Sequence, residues 1–306
     1  MRASSNIKLM GKGAVSKKAK DRKCYNSSCR GAIYIIGIGP GSLKDLTQRA
    51  KDAIKRADVI VGYTTYIDLI KGLIKNKGVF STGMMHEVER CQKAIDIAMQ
   101  GRRVAVVSSG DSGIYGMAGL VLELLKGQGA RGRGQDLNNS SALDARRFIK
   151  NSEHRTPNTE PFTPVVTVIP GVPAFCSAAS LLGAPLMHDF ASISLSDLLT
   201  PYDVILKRVE AAAEADFVIA LYNPKSKKRI KQIQDVRDIL LKYRDDSTPV
   251  GIVKSASREN EEIKITTLNG LSDYYDFIDM QTIVIVGNSS SCVYDNKIIT
   301  PRGYKV

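Results

Sequence analysis

Apolar positions along this chain alternate between two textures. Some form short unbroken runs, and others return every three or four residues between polar ones. Ala32-Ile33-Tyr34-Ile35-Ile36 is the first run, the pattern of a strand buried on both faces of a parallel sheet. After the turn Gly37-Ile38-Gly39-Pro40-Gly41, Leu46, Ala50, Ala53, Ile54 and Ala57 repeat at helical spacing. Asp58-Val59-Ile60-Val61-Gly62 predicts a second strand. A helix is expected from His86-Glu87 to about Met99, and another strand at Val104-Ala105-Val106-Val107. Further on, strands are predicted at Val165–Ile169, Phe217–Leu221, Val250–Val253 and Ile283–Val286, with a helix over about Lys225–Lys242. Ile263-Lys264-Ile265-Thr266 alternates, which suggests an antiparallel edge strand and a mixed sheet in the second half. Strands alternating with helices indicate an α/β layer structure.

Two stretches interrupt the pattern. Residues 1–30 are rich in Lys and Ser and show no apolar periodicity, so they predict a disordered basic tail. Residues 127–164 open with Gly and Arg and close on Pro157, Pro161 and Pro164. A loop of that length is unusual inside a compact domain and predicts a disordered insertion between domains. The expected organisation is an N-terminal α/β domain over 31–126 and a C-terminal α/β domain over 165–306.

Charge sharpens this division. The formal net charge is +13, of which +8 lies in residues 1–30 and +3 in residues 126–164. The rest is close to neutral, whereas a nucleic-acid groove would carry its positive charge on the folded surface. Nucleic acid is therefore not an expected partner. No apolar run has the length of a membrane span, and the N-terminus lacks the apolar core of a secretory signal, so the expected location is the cytoplasm. The five cysteines, Cys24, Cys29, Cys91, Cys176 and Cys292, are odd in number and scattered, unlike a disulfide framework. Cys24 and Cys29 have no second close pair, so free thiols and no metal are expected.

The informative loops all follow predicted strands, where ligands of open α/β sheets bind. They are Gly37–Gly41, Ser108–Gly116, Pro170–Ala174, Leu221–Pro224, Lys254–Arg258 and Gly287–Ser291, and together they would line one interdomain cleft. Gly37–Gly41 is a poor dinucleotide fingerprint. Ser42 stands at the third position, Pro40 removes a donor, and no acid ends the second strand. Ser108-Ser109-Gly110-Asp111-Ser112-Gly113-Ile114-Tyr115-Gly116 is the strongest local signal. Its glycines would expose backbone polar groups to a ligand, and Asp111 either caps the turn or offers a carboxylate to a sulfonium cofactor. Pro173 either starts a helix or borders the ligand. His86 and Glu87 read first as a polar helix start. No paired carboxylates, Ser/His/Asp order or metal-ligand cluster is found.

The order GIGPGxxxxLT, VSSGDSGIYGMAG, IPGVPAFCSAASLLGAPL, LYNP resembles the tetrapyrrole (corrin/porphyrin) methylase family. Within it, SSGDSGIYGMAG and LYNPxSxxR are most similar to the branch that methylates carbon 17 of precorrin-3B or cobalt-factor III in cobalamin synthesis. The resemblance covers about 31–126 and 165–306, and neither the tail nor the insertion matches the family. It implies two α/β domains, an active site in the interdomain cleft, a homodimer, a tetrapyrrole substrate and S-adenosylmethionine as cofactor. It further implies that Pro40 lies on the substrate side of the cofactor site. Gly110, Asp111, Ser112 and Ile114 would touch the methionine part, with Pro173 and Ala174 in the next cofactor loop. Tyr222, Ala256 and Thr282 would surround the adenosine.

The chemistry implied is attack of an electron-rich ring carbon on the sulfonium methyl, needing mainly positioning and desolvation. Ring contraction adds proton movement, with Asp111, Ser109 and His86 as candidates in that order. Competing readings are a ribosomal-RNA 2′-O-methyltransferase or diphthine synthase of the same fold, or a non-catalytic module binding through its basic tail.

Overall fold

The computed structural model describes residues 31–131, 163–226 and 229–305. The basic tail and most of the predicted insertion lie outside the described residues. The first sheet has five parallel strands in the order β3-β2-β4-β1-β5. Its strands are β1 (Ala32–Gly37), β2 (Val59–Tyr63), β3 (Gly78–Thr82), β4 (Arg103–Ser108) and β5 (Val165–Ile169). The unbroken apolar runs have the expected cause, because both faces of this sheet are covered. Ile36, Ile60, Ala105 and Val107 pack on one side with α1 (Gln48–Arg56) and α2 (Thr64–Leu69). Ile33, Ile35, Val59, Val61, Val104 and Val106 pack on the other with α3 (Glu87–Met99) and α4 (Ala118–Arg131). Ile33, Ile35, Ile36, Ile54 and Ile60 are fully buried, each stabilising by about 1.5–3 kcal/mol relative to exposure. Thr47 caps α1 by accepting from the Ala50 amide at 3.2 Å, and Lys55 and Arg56 close the helix where its dipole favours cations.

Two expectations change here. Val165–Ile169 was expected to open the second domain. It instead completes the first sheet, pairing with β1 residue for residue from Ala32↔Val165 to Ile36↔Ile169. Long-range pairing is not encoded in local periodicity, so the apolar run alone does not say which sheet it joins. The break expected at Gly127 is also crossed, since α4 continues to Arg131. A glycine inside a helix costs about 1 kcal/mol but does not end it.

The second sheet is mixed, as its pattern suggests, in the order β10-β9-β11-β8-β7. It contains β7 (Phe190–Ser194), β8 (Val218–Tyr222), β9 (Pro249–Lys254), β10 (Glu262–Thr267) and β11 (Thr282–Val286). β7 and β8 are parallel and the other neighbours antiparallel. β10 is the antiparallel edge strand that its alternation predicts. Helix α5 (Ala174–Leu182) covers one face. Helices α6 (Tyr202–Glu214) and α7 (Gln232–Leu240) cover the other. A small sheet joins β6 (Gly183–Ala184), β12 (Cys292–Tyr294) and β13 (Lys297–Ile299). Among the described residues no helix is long and apolar enough to cross a membrane.

Candidate active site

The loops after β1, β4 and β5 meet at the C-terminal edge of the first sheet, and glycine makes their approach feasible. A Cβ on Gly37 would stand 2.6 Å from both the Gly110 carbonyl and the Gly171 amide, and a Cβ on Gly171 would overlap Gly110. Gly110 has φ +67°, a conformation open to glycine at little cost. Gly39 and Gly110 exchange backbone hydrogen bonds of 3.1 and 2.7 Å, and the Ile38 amide donates to Ser108. The Ile38 and Gly39 amides of the turn are therefore already paired inside the protein. Pro40, next in the turn, has no N–H to offer a phosphate.

Asp111 ties the cluster together. One carboxylate oxygen accepts from the Gly113 amide at 2.7 Å, and the other accepts from the Gly171 amide at 2.9 Å. Ser112 is fully buried, and its hydroxyl lies 3.4 Å from the carbonyls of Ile35 and Ile169, linking the loop to two strands. Ser109 and Pro40 share a partner from the other domain. Arg258 donates through Nε to the Pro40 carbonyl at 2.9 Å and through Nη2 to the Ser109 hydroxyl at 3.3 Å.

The second domain contributes the opposite wall. Pro173 precedes α5 as its cap, and Pro173 and Ala174 are the nearest neighbours of Gly110 on that side. The Tyr222 hydroxyl, at the end of β8, accepts from the Phe175 amide at 3.1 Å. Burial pushes this phenol up to about 12, so it stays neutral at physiological pH. Ile114 and Ala174 pack with Tyr222 on the cluster that contains Ala256. Thr282 is buried, and its hydroxyl donates to the Asp279 carboxylate while accepting from the Asp279 amide. Tyr115 bridges the domains. Its hydroxyl donates to the Ser192 carbonyl at 2.9 Å, and its ring lies 4.9 Å from that of Tyr222. It does so with φ +52°, which costs a non-glycine residue about 1 kcal/mol or more.

Two placements differ from expectation. Gly287–Ser291 does not line the cleft. β11 runs antiparallel to β8 and β9, so its C-terminal end lies at the far edge, where Gly287 donates to Pro249 and Ser289 bonds Asp216. The same reversal brings Thr282, at the start of β11, beside Lys254 at the end of β9. His86 caps α3 with an exposed side chain whose partner is Glu89, at 2.9 Å. It makes no contact with Asp111 or Ser109. Among the described residues no three His, Cys, Asp or Glu side chains cluster as metal ligands.

Residues 32–131 and 148–272 match the model of the tetrapyrrole (corrin/porphyrin) methylases. The chain belongs to this family. The match resumes at residue 148, inside the stretch expected to match nothing, so the part of the insertion foreign to the family is 132–147. The chain is 49% identical over 276 residues to the cobalt-factor III methyltransferase of Priestia megaterium, covering 90% of this chain and 46% of that protein. It is 47% identical to a probable cobalt-factor III C(17)-methyltransferase of Salmonella typhimurium, covering 89% of this chain and 99% of the relative. The chain thus spans about half of the first relative and nearly all of the second. Among solved structures, that of the methyltransferase CobJ superposes with a TM-score of 0.72 at 30% identity, covering 89% of this chain and all of the other. A uroporphyrin-III C-methyltransferase from Thermus thermophilus, complexed with S-adenyl homocysteine, shares the fold with a TM-score of 0.60 at 19% identity.

Sequence reasoning placed Arg258 and Tyr115 in loops but gave neither a role. Both act across the domain boundary, which no motif spells out. The available signal for Arg258 was a cation in a strand-end loop of a nearly neutral folded region.

Proposed function

We propose that this chain transfers a methyl group from S-adenosylmethionine to carbon 17 of cobalt-factor III, with ring contraction, in cobalamin biosynthesis. The observation that carries the reading is 47% identity across almost the whole length of a relative bearing that name. The site suits such a cofactor because glycine brings bare backbone from three strand-end loops to its wall. When bound, S-adenosylmethionine supplies a methyl group on positively charged sulfur, open to in-line attack.

The chain's own part is to position and to exclude water. Gly110, Asp111, Ser112 and Ile114 would form one side of the cofactor site, with Pro173 and Ala174 facing them. Tyr222, Ala256 and Thr282 would shape the adenosine end, and Pro40 the substrate side. An enamine-like ring carbon carries its own electron pair, so methylation requires no strong protein base. For the proton movement of contraction, Ser109 becomes the leading candidate. Its oxygen accepts from Arg258, which leaves its O–H to donate. Asp111 is a positioning residue in this reading, because both its oxygens are engaged by backbone amides. His86 takes the last place, exposed at the start of α3. The reading includes a cytoplasmic homodimer, which sedimentation of the full chain would test.

The decisive experiment is incubation with S-adenosylmethionine and either cobalt-factor III or precorrin-3B, followed by mass spectrometry. Gain of one methyl group on cobalt-factor III is expected. Methylation of precorrin-3B alone would move the substrate to the metal-free series, and methylation of neither would overturn the reading.

A further inference from the structure

Arg258 lies in the loop between β9 and β10, and its half-buried side chain crosses to the first domain. Its stem lies over Gly41, where any Cβ would run into it. A guanidinium carries five N–H donors in a rigid fork. Two serve Pro40 and Ser109. Nη1 makes no hydrogen bond to a described residue, and among the described residues no Asp or Glu lies within ion-pair distance of Arg258. The acids of its own loop do not supply one. The Glu261 carboxylate accepts from the Ser257 amide, and Glu259 is exposed. Arg90, by contrast, is buried and already paired with Glu87. Tyr66 is half-buried, with no described partner for its hydroxyl, and feels both cations. Burial raises this phenol against the opposing pull of Arg258.

A partly desolvated guanidinium that always carries charge gains most from a carboxylate that can meet its fork. A corrin precursor bears acetate and propionate arms around its ring, so it brings that group with it. We propose that Arg258 is a specificity-determining residue whose open guanidinium edge receives a side-chain carboxylate of the tetrapyrrole, with Pro40 and Ser109 holding the fork in place. The identity of the ligand rests on the function proposed above.

The test compares the full chain with Arg258→Gln, Arg258→Lys and Gly41→Ala. Cobalt-factor III affinity is read by absorbance titration, S-adenosylhomocysteine affinity by calorimetry, and folding by thermal midpoint. Loss of one charge-assisted pair in Arg258→Gln should weaken cobalt-factor III binding roughly 10–100-fold. Affinity for S-adenosylhomocysteine should stay within about threefold, well under the roughly tenfold that 1.4 kcal/mol represents. Arg258→Lys should recover part of the loss, since it keeps the charge and gives up the fork. Gly41→Ala removes no charge but displaces the stem, and should reproduce the selective defect. Unchanged tetrapyrrole affinity in Arg258→Gln would overturn the proposal. So would a parallel loss of both ligands, which would reduce Arg258 to a domain latch. If the unaltered chain binds S-adenosylhomocysteine but not cobalt-factor III, the substrate reading itself fails, a result separable from any difference among variants.

Discussion

Asp111 shows how a charged residue in a motif can serve architecture first. Asn caps a turn about as well as Asp, so the sequence predicts a mild effect for Asp111→Asn if the residue is only a cap, and weakened catalysis with an intact fold if its charge serves the cofactor. The structure adds a third role, as a tie between loops. Both oxygens accept from amides on two different loops, and an asparagine would turn an N–H toward one of them. Asp111 is half-buried, so Asp111→Asn should cost about 0.5–1.5 kcal/mol, the range for one lost hydrogen bond, and S-adenosylhomocysteine binding should weaken with it. Urea unfolding and calorimetry check both, and unchanged values in both would return Asp111 to a dispensable cap. Cys91 offers a second residue-scale check. It is fully buried, and burial pushes its thiol up to about 12, so almost no thiolate is present near neutrality. Alkylation of the native chain at pH 8 should modify the exposed Cys176 and Cys292 but spare Cys91 until the chain unfolds.

At the scale of elements, sequence was most informative where one element explains itself. The runs at β1, β2, β4, β8 and β11 are legible because both sheet faces are covered. β3 was missed because it is an edge strand with little burial and therefore no apolar run. The direction of β11 was missed because periodicity is the same read either way, and Gly287–Ser291 was put on the wrong side for that reason. The entry to β2 carries its own signature. Asp58 accepts from the Arg103 backbone and guanidinium, with one bond of 2.7 Å, tying β2 to β4. These bonds, and the Arg103 charge, hold its carboxyl below the ordinary 3.8 despite an opposing effect of burial. A depressed folded value means that the stabilisation is present above the unfolded value and lost as pH falls through the folded one. Unfolding curves of the natural chain and Asp58→Asn should differ above the ordinary carboxylate range and converge as acid protonates the folded carboxyl. The difference should be small, since the pair is partly exposed.

For the whole molecule, the cleft is made by contacts that cross between sheets, and these were the least legible part. The four ordered motifs pointed to the family and to the loops, yet they did not show which side chains close the gap. Tyr115 is one of these, holding the Ser192 carbonyl from a left-handed backbone. Tyr115→Phe removes that bond while keeping the ring contact with Tyr222. The expected result is a loss of about 0.5–1.5 kcal/mol in stability and faster amide exchange in the loop around residues 112–117, with strands β1 and β4 unaffected. Equal exchange in both proteins would show that the ring alone holds the domains.

The placement of β5 has a consequence for how the protein can be divided. Its five residues follow the 132–162 stretch in sequence, yet they lie beside β1 in the first sheet. A gene cut in that stretch would leave the upstream half with a sheet missing its border and the downstream half with a strand that has no neighbour of its own. Co-expressed, the two pieces should seek each other out through that shared strand and through Arg258. Methyltransfer would then serve as a reporter of their reunion, with neither piece active alone.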